Sequence, residues 1–158
     1  MMYPRHTSSL PHRGFTLLIA LVLTSVVLAV GIALLDIAYK QILLASSAKN
    51  SQYAFYAADS ALECALYYDQ KFNAFGYSGP LPASSIECSE RAVSGYTTSV
   101  SGGRRTTSFN HTCAGGGISA VVTIYKESSG STNIYSNGFS TCDASAQVRV
   151  ERGLKVRY

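Results

Sequence analysis

From Phe15 to Leu35 the chain reads FTLLIALVLTSVVLAVGIALL, without one charged side chain. Roughly 20 such residues in a helix match the thickness of the hydrocarbon core of a bilayer. Thr24 and Ser25, with Thr16 at the edge, are the polar interruptions. The hydroxyls of Thr24 and Ser25 can bond back to a carbonyl one turn earlier, so both are compatible with a membrane span. The same run explains the composition. Charged residues make up 14% of the chain, against about 25% in average globular proteins. The roughly 120 residues left outside the run are enough for a modest core.

Charge gives the run a direction. Arg5 and Arg13 precede it and Asp36 directly follows it. By the excess of basic residues on the cytoplasmic side, the N-terminus faces the cytoplasm and everything after Asp36 faces outward. The formal net charge is +4, and the chain beyond Arg13 holds eleven basic and nine acidic residues. That balance is far from the footprint of a dedicated nucleic-acid binder, so nucleic acid is not an expected partner.

Breakers divide the chain further. Residues 1–14 hold Pro4, Pro11, two Arg and two His without periodicity, and they read as a leader or, less sharply, as a cytoplasmic tail. From Phe15 to about Asn73 there is no proline, and Gly31 is the only glycine between Gly14 and Gly76. One continuous helix is expected there, roughly 85–90 Å long at 1.5 Å per residue. Residues 15–35 are its membrane part and 36–74 its soluble part. In the soluble part Ala54, Ala58, Ala61, Leu62, Ala65 and Leu66 recur by threes and fours, which marks one buried face. Asp59, Glu63 and Asp69 are expected largely off that stripe.

Residues 75–158 change character. Gly, Ser and Thr dominate, and short β-branched runs lie between turn signals. Residues 76–90 read as loop. Short strands are expected around Tyr96–Val100 and Arg105–Phe109, then at Ile118–Lys126 and Asn133–Ser140 across the turn SSGS at 128–131. A final strand is expected over Ala146–Tyr158, where Val148, Val150, Leu154, Val156 and Tyr158 alternate with polar residues. Glu151, Arg152 and Gly153 interrupt the alternation and suggest a bulge or turn. The expected class is therefore α+β: a long N-terminal helix, its first half membrane-spanning, packed on a small antiparallel β-sheet head.

Cys64, Cys88, Cys113 and Cys142 are the four cysteines. An even number in an exported domain suggests two disulfides, and four cysteines allow three pairings. Geometry narrows the choice. If 118–126 and 133–140 form a hairpin, residue 118 faces about residue 140. Cys113 and Cys142 then lie together at its open end, near the 5–6 Å a bridge needs between Cα atoms. That leaves Cys64–Cys88, which ties the loop back to the helix. Free thiols would suit a cytosolic protein better. No pair has CxxC spacing, and His6 and His12 precede the span, so no metal site is expected.

Several smaller signals have plain readings. The Arg104-Arg105 pair fits a solvated strand end or turn better than a DNA contact. The eleven tyrosines fit helix-to-sheet packing, with a sticky interface patch as the alternative. Gly115-Gly116-Gly117 is followed by neither Lys nor a helix pattern, so it is a flexible turn and no phosphate loop. His111 has no acidic orienter identifiable in sequence, and no catalytic set emerges. The chain is not expected to be an enzyme.

The junction Arg13-Gly14-Phe15-Thr16-Leu17-Leu18 resembles the type III signal of type IV prepilins and secretion-system pseudopilins. The stretch FYAADSALE (55–63) resembles a helix segment of PilX-type minor pilins, and IYSNGFS…VRVERGLKVRY resembles their closing strands. The resemblance implies that a prepilin peptidase cuts after Gly14 and methylates the new amine of Phe15. Glycine suits that role because a protease can approach its backbone closely. The implied partners are other pilins or pseudopilins through the N-terminal helix, the peptidase, an inner-membrane assembly platform and the lipid bilayer; no cofactor is implied. The family's major subunits carry a Glu at the fifth mature position, where this chain has Ile19. They also carry a proline near mature position 22, where Asp36 stands. A lone carboxylate in hydrocarbon is costly unless paired. Its absence points to a minor or tip subunit of a type IV pilus or a type II secretion-like filament. The alternatives are a pilus-borne adhesin or DNA-uptake subunit, and a single-span tethered domain unrelated to pili.

Overall fold

The computed structural model describes residues 13–111 and 117–158. Helix α1 runs Arg13–Phe72, starting two residues before the expected position and ending one short of Asn73. Asn73 stops it by turning left-handed, with φ 50°, and its N–H bonds the Asp69 carbonyl at 2.9 Å. Asparagine tolerates that conformation better than most residues and closes helices in this way. The chain divides into two compact units with the boundary after Leu44.

In the second unit, a short hairpin, β1 (Glu87–Cys88) and β2 (Arg91–Ala92), begins within residues 76–90, which were expected as loop. Five further strands follow: β3 (Ser94–Ser101), β4 (Arg104–His111), β5 (Ser119–Glu127), β6 (Thr132–Phe139) and β7 (Glu151–Arg157). They form one antiparallel sheet in chain order. Gly102 and Gly103, at φ 58° and 78°, turn β3 into β4 with the left-handed pair that two-residue hairpins require. Ser119 faces Phe139 and Val121 faces Asn137, the register expected for the β5–β6 hairpin. The architecture is α+β, as the composition shift at residue 75 implied.

The last strand departs from expectation. Glu151, Arg152 and Gly153 pair in unbroken register with Phe139, Gly138 and Asn137. Residues 146–150 precede the strand, and Val148 is 62% exposed. The alternation at Val148 and Val150 was therefore not burial. Arg152 stands on the inner face without interrupting it because Gly138 opposite has no side chain, and its Nε reaches Ser51 Oγ at 2.8 Å.

Alternation puts one face of the sheet inward. Phe109 from β4, Ala120, Val122 and Ile124 from β5, and Ile134 and Ser136 from β6 are buried. They meet Ala54, Ala57, Ala58, Ala61, Leu62 and Ala65 of α1. Phe75 stacks on Phe109 at 5.9 Å between centroids. Each large buried side chain contributes about 1.5–3 kcal/mol relative to exposure. The helix residues are small because the backbones come very close. A Cβ added at Gly138 would collide with the Ala54 carbonyl and the Ala58 N–H, and would lie 2.9 Å from the Ala58 Cβ. Ser136 Oγ donates to the Ala58 carbonyl at 2.7 Å, so this buried hydroxyl is satisfied.

Asp69 corrects another expectation. It lies one turn beyond Ala65 on the buried stripe and is 3% exposed. Lys126 Nζ from β5 binds its two oxygens at 2.9 and 2.7 Å, and the Tyr158 hydroxyl donates to Oδ2 at 2.6 Å. A carboxylate can be buried when it is paired and hydrogen-bonded in this way. Tyrosines divide between two roles. Tyr68 and Tyr96 bind backbone groups of Glu87 and Leu81. Tyr53, Tyr56 and Tyr67 are exposed on the helix, contrary to the expected packing role.

Gly138→Ala is expected to lower stability by about 1–3 kcal/mol or more through overpacking. Gly79→Ala, where an added Cβ meets nothing within 4 Å, should leave the thermal midpoint unchanged. Asp69→Ala leaves the Lys126 ammonium without its counter-ion and should cost about 3–5 kcal/mol in denaturant unfolding. The Tyr158 hydroxyl is pushed above its ordinary 10.0 by burial, then by the hydrogen bond and charge of Asp69. The folded state therefore holds that proton more tightly than the unfolded chain. Its contribution is intact below pH 10 and is lost as the pH rises beyond it. Tyr158→Phe should flatten this alkaline loss in a pH series of unfolding curves.

Candidate processing and membrane region

The unit before the boundary at Leu44 is helical in its described part and has no burial of its own. Its most apolar 18-residue window has a mean hydropathy of 2.9, and none of it is covered by the protein. Phe15 is 66% exposed, and every residue from Phe15 to Leu35 is exposed. An apolar surface of this extent needs a cover other than water. The helix is long and apolar enough to cross a membrane.

The two interior polar residues behave as hydroxyls must in hydrocarbon. Thr24 Oγ1 donates to the Leu21 carbonyl at 3.0 Å and Ser25 Oγ to the Val22 carbonyl at 2.8 Å. Past the apolar run, Lys40 Nζ binds Asp36 Oδ2 at 2.8 Å, four residues apart and exposed. Such a pair adds little stability.

The residues singled out for processing are the first described residues of α1. Arg13 and Gly14 are in the first turn and Phe15 follows directly. Ile19 lies one turn further along and is 41% exposed.

The cysteines fall into two cases. Cys64 on α1 and Cys88 on β1 form a disulfide with their Cα atoms 5.8 Å apart, as expected. The expected Cys113–Cys142 bridge cannot be placed in the same way, because Cys113 lies outside the described residues. Cys142 is not a free thiol, and its N–H bonds the Gly117 carbonyl at 3.0 Å. Gly115 and Gly116 of the expected flexible turn also lie outside the described residues.

Other singled-out side chains are held by the sheet. Arg104 Nε binds Glu127 Oε1 at 2.6 Å. Arg105 binds the Tyr77 carbonyl at 2.8 Å and Thr98 Oγ1 at 3.1 Å, so it ties loop to sheet. His111 ends β4. Burial, and secondarily the charge of Arg91, push its imidazole below the ordinary value. Among the described residues no group of three or more His, Cys, Asp or Glu could hold a metal ion. A group that sequence reasoning passed over is the aromatic and cationic set on the outward sheet face, Tyr125, Tyr135, Lys155 and Arg157. Its signal was present as every second residue of β5, β6 and β7.

No family model, curated protein or solved structure matches this chain. Non-reducing peptide mapping is expected to recover a Cys64–Cys88 crosslink. Cys64→Ala with Cys88→Ala should lower stability by about 2–4 kcal/mol, mainly by freeing the unfolded chain.

Proposed function

We propose that this chain is a minor pilin or pseudopilin that takes part in assembling a type IV pilus or a type II secretion-like filament, at or near its tip. The observation that carries this reading is the Arg13-Gly14-Phe15 junction, which leads directly into the charge-free, uncovered residues 15–35 of helix α1. The same helix supplies the Ala face on which the sheet docks. A membrane peptidase cuts the Gly14–Phe15 bond and methylates the amine of Phe15. Before assembly the chain is a single-pass membrane protein with its head outside the cytoplasm.

The apolar helix then exchanges lipid for the helices of neighbouring subunits. In hydrocarbon a lone carboxylate on such a helix requires a cationic partner. Ile19 requires none and offers none to the amine of a subunit below it. The subunit thus lacks one half of a repeating charge pair, which favours the end of a filament over its shaft. The role is structural, without catalysis by this chain.

Mass spectrometry of protein extracted from membranes with an active prepilin peptidase is expected to find a methylated Phe15 terminus. Recovery of the intact Met1 terminus would overturn the proposal. Gly14→Leu should block cleavage. Purified filaments should contain the protein at far below one copy per shaft subunit.

A further inference from the structure

The outward face of the sheet, opposite the face that docks α1, has a distinct end. Tyr125 of β5 and Tyr135 of β6 meet edge to face, their centroids 5.6 Å apart at 84°. The Arg104 guanidinium lies over the Tyr125 ring at 5.4 Å, and Lys155 Nζ lies over the Tyr135 ring at 4.9 Å. Asn133 stands beside Tyr125 in register, and Arg157 stands beside Asn133. Arg104, Tyr125, Asn133 and Tyr135 line a recess of about 350 Å³.

Most of the polar atoms here are unspent. Among the described residues, Glu127 is the carboxylate that Arg104 binds, while Lys155 and Arg157 have no acidic partner. The Asn133 amide and the two tyrosine hydroxyls likewise make no side-chain hydrogen bond in this set. The recess therefore offers amide and hydroxyl groups at its centre and a surplus of positive charge around it. Aromatic faces attract cations, which biases the Arg104 and Lys155 side chains toward the two rings.

We propose that this end of the sheet binds an acidic polysaccharide, a chain of sugars bearing carboxylates. The hydroxyls of a sugar match Asn133 and the tyrosine hydroxyls, and its carboxylate matches Lys155, Arg157 and the free nitrogens of Arg104. Guanidinium groups take carboxylates in a planar, two-bond geometry. Single-stranded nucleic acid fits less well. Its bases need open aromatic faces to stack on, whereas one face of each ring is taken by a cation and the rings meet at 84°. The inference does not depend on how α1 is used.

The test uses the full chain in detergent micelles and a fluorescent polygalacturonate oligosaccharide, read by polarisation. Unlabelled polygalacturonate should displace the probe, while neutral dextran and a single-stranded oligonucleotide of equal charge should not. Tyr135→Ala with Lys155→Ala should weaken binding about tenfold or more, which is at least one step on the affinity scale. Arg157→Glu reverses one exposed charge without removing packing and should weaken binding as well, so it decides the matter if the double variant is poorly folded. Arg91→Ala, a basic residue on β2 away from this face, should leave binding unchanged. Unaltered affinity in the face variants, equal loss in Arg91→Ala, or absence of binding would overturn the proposal. Displacement by the oligonucleotide would overturn it in favour of a nucleic-acid ligand.

Discussion

The sheet comes so close to the helix that backbone touches backbone, and other features of the head accommodate that approach. Gly138 lies against the peptide groups of Ala54 and Ala58 with no room for a methyl group. Alanine then has to occupy the facing helix positions, and larger side chains move to the flanks as Phe75, Phe109, Ile124 and Ile134. Ser136 can be buried because the same approach brings it within 2.7 Å of a helix carbonyl. Arg152 can lie on the inner face because its cross-strand neighbour is that glycine. A glycine in mid-strand weakens the strand by itself, and the contact it permits is the compensation.

One helix serves two surroundings, and the switch is made by side-chain chemistry with no change of backbone. Before residue 36 the helix is apolar on all sides, and its hydroxyls are turned back onto its own carbonyls. Beyond Ala45 it has a buried side of alanine and leucine and a polar or aromatic outer side. The buried side ends on a charge, Asp69, which Lys126 and Tyr158 neutralise and cover. Replacing such a group by a hydrophobe is often neutral for stability. Its geometry adds a further fixed contact between α1 and the strands, beside Gly138 against Ala54 and Ala58 and Ser136 on the Ala58 carbonyl.

Periodicity made the helix, its alanine face and the β5–β6 register legible, since those signals extend over many residues. Ala57 and Asp69 were harder. Ala57 lies three residues after Ala54 and four before Ala61, so it fits the stripe but was not singled out, and a lone Asp is polar by composition yet buried by its partners. Those partners lie 57 and 89 residues away, beyond any local window. The final strand was misjudged because Gly153 and two charged residues resemble a break, although edge strands regularly carry charges that deter pairing. The Cys64–Cys88 bridge was legible because one hairpin register determined which cysteines remained. The junction at Gly14 is a sequence motif that no contact within the head bears on. The outward cluster was not singled out, because its members come from separate strands and only the sheet unites them.

The separation between Asp69 and its partners also orders events in time. During synthesis Asp69 emerges long before Lys126, and Lys126 before Tyr158. Until both arrive, docking α1 on a partial sheet would bury a carboxylate with nothing to neutralise it. The alanine face is therefore discouraged from settling early on incomplete or wrongly paired strands. Closing a loop over such distances costs more chain entropy than forming a local hairpin. The meander can assemble strand by strand first, and the charged lock admits the helix only when the strands that carry its keys are in place.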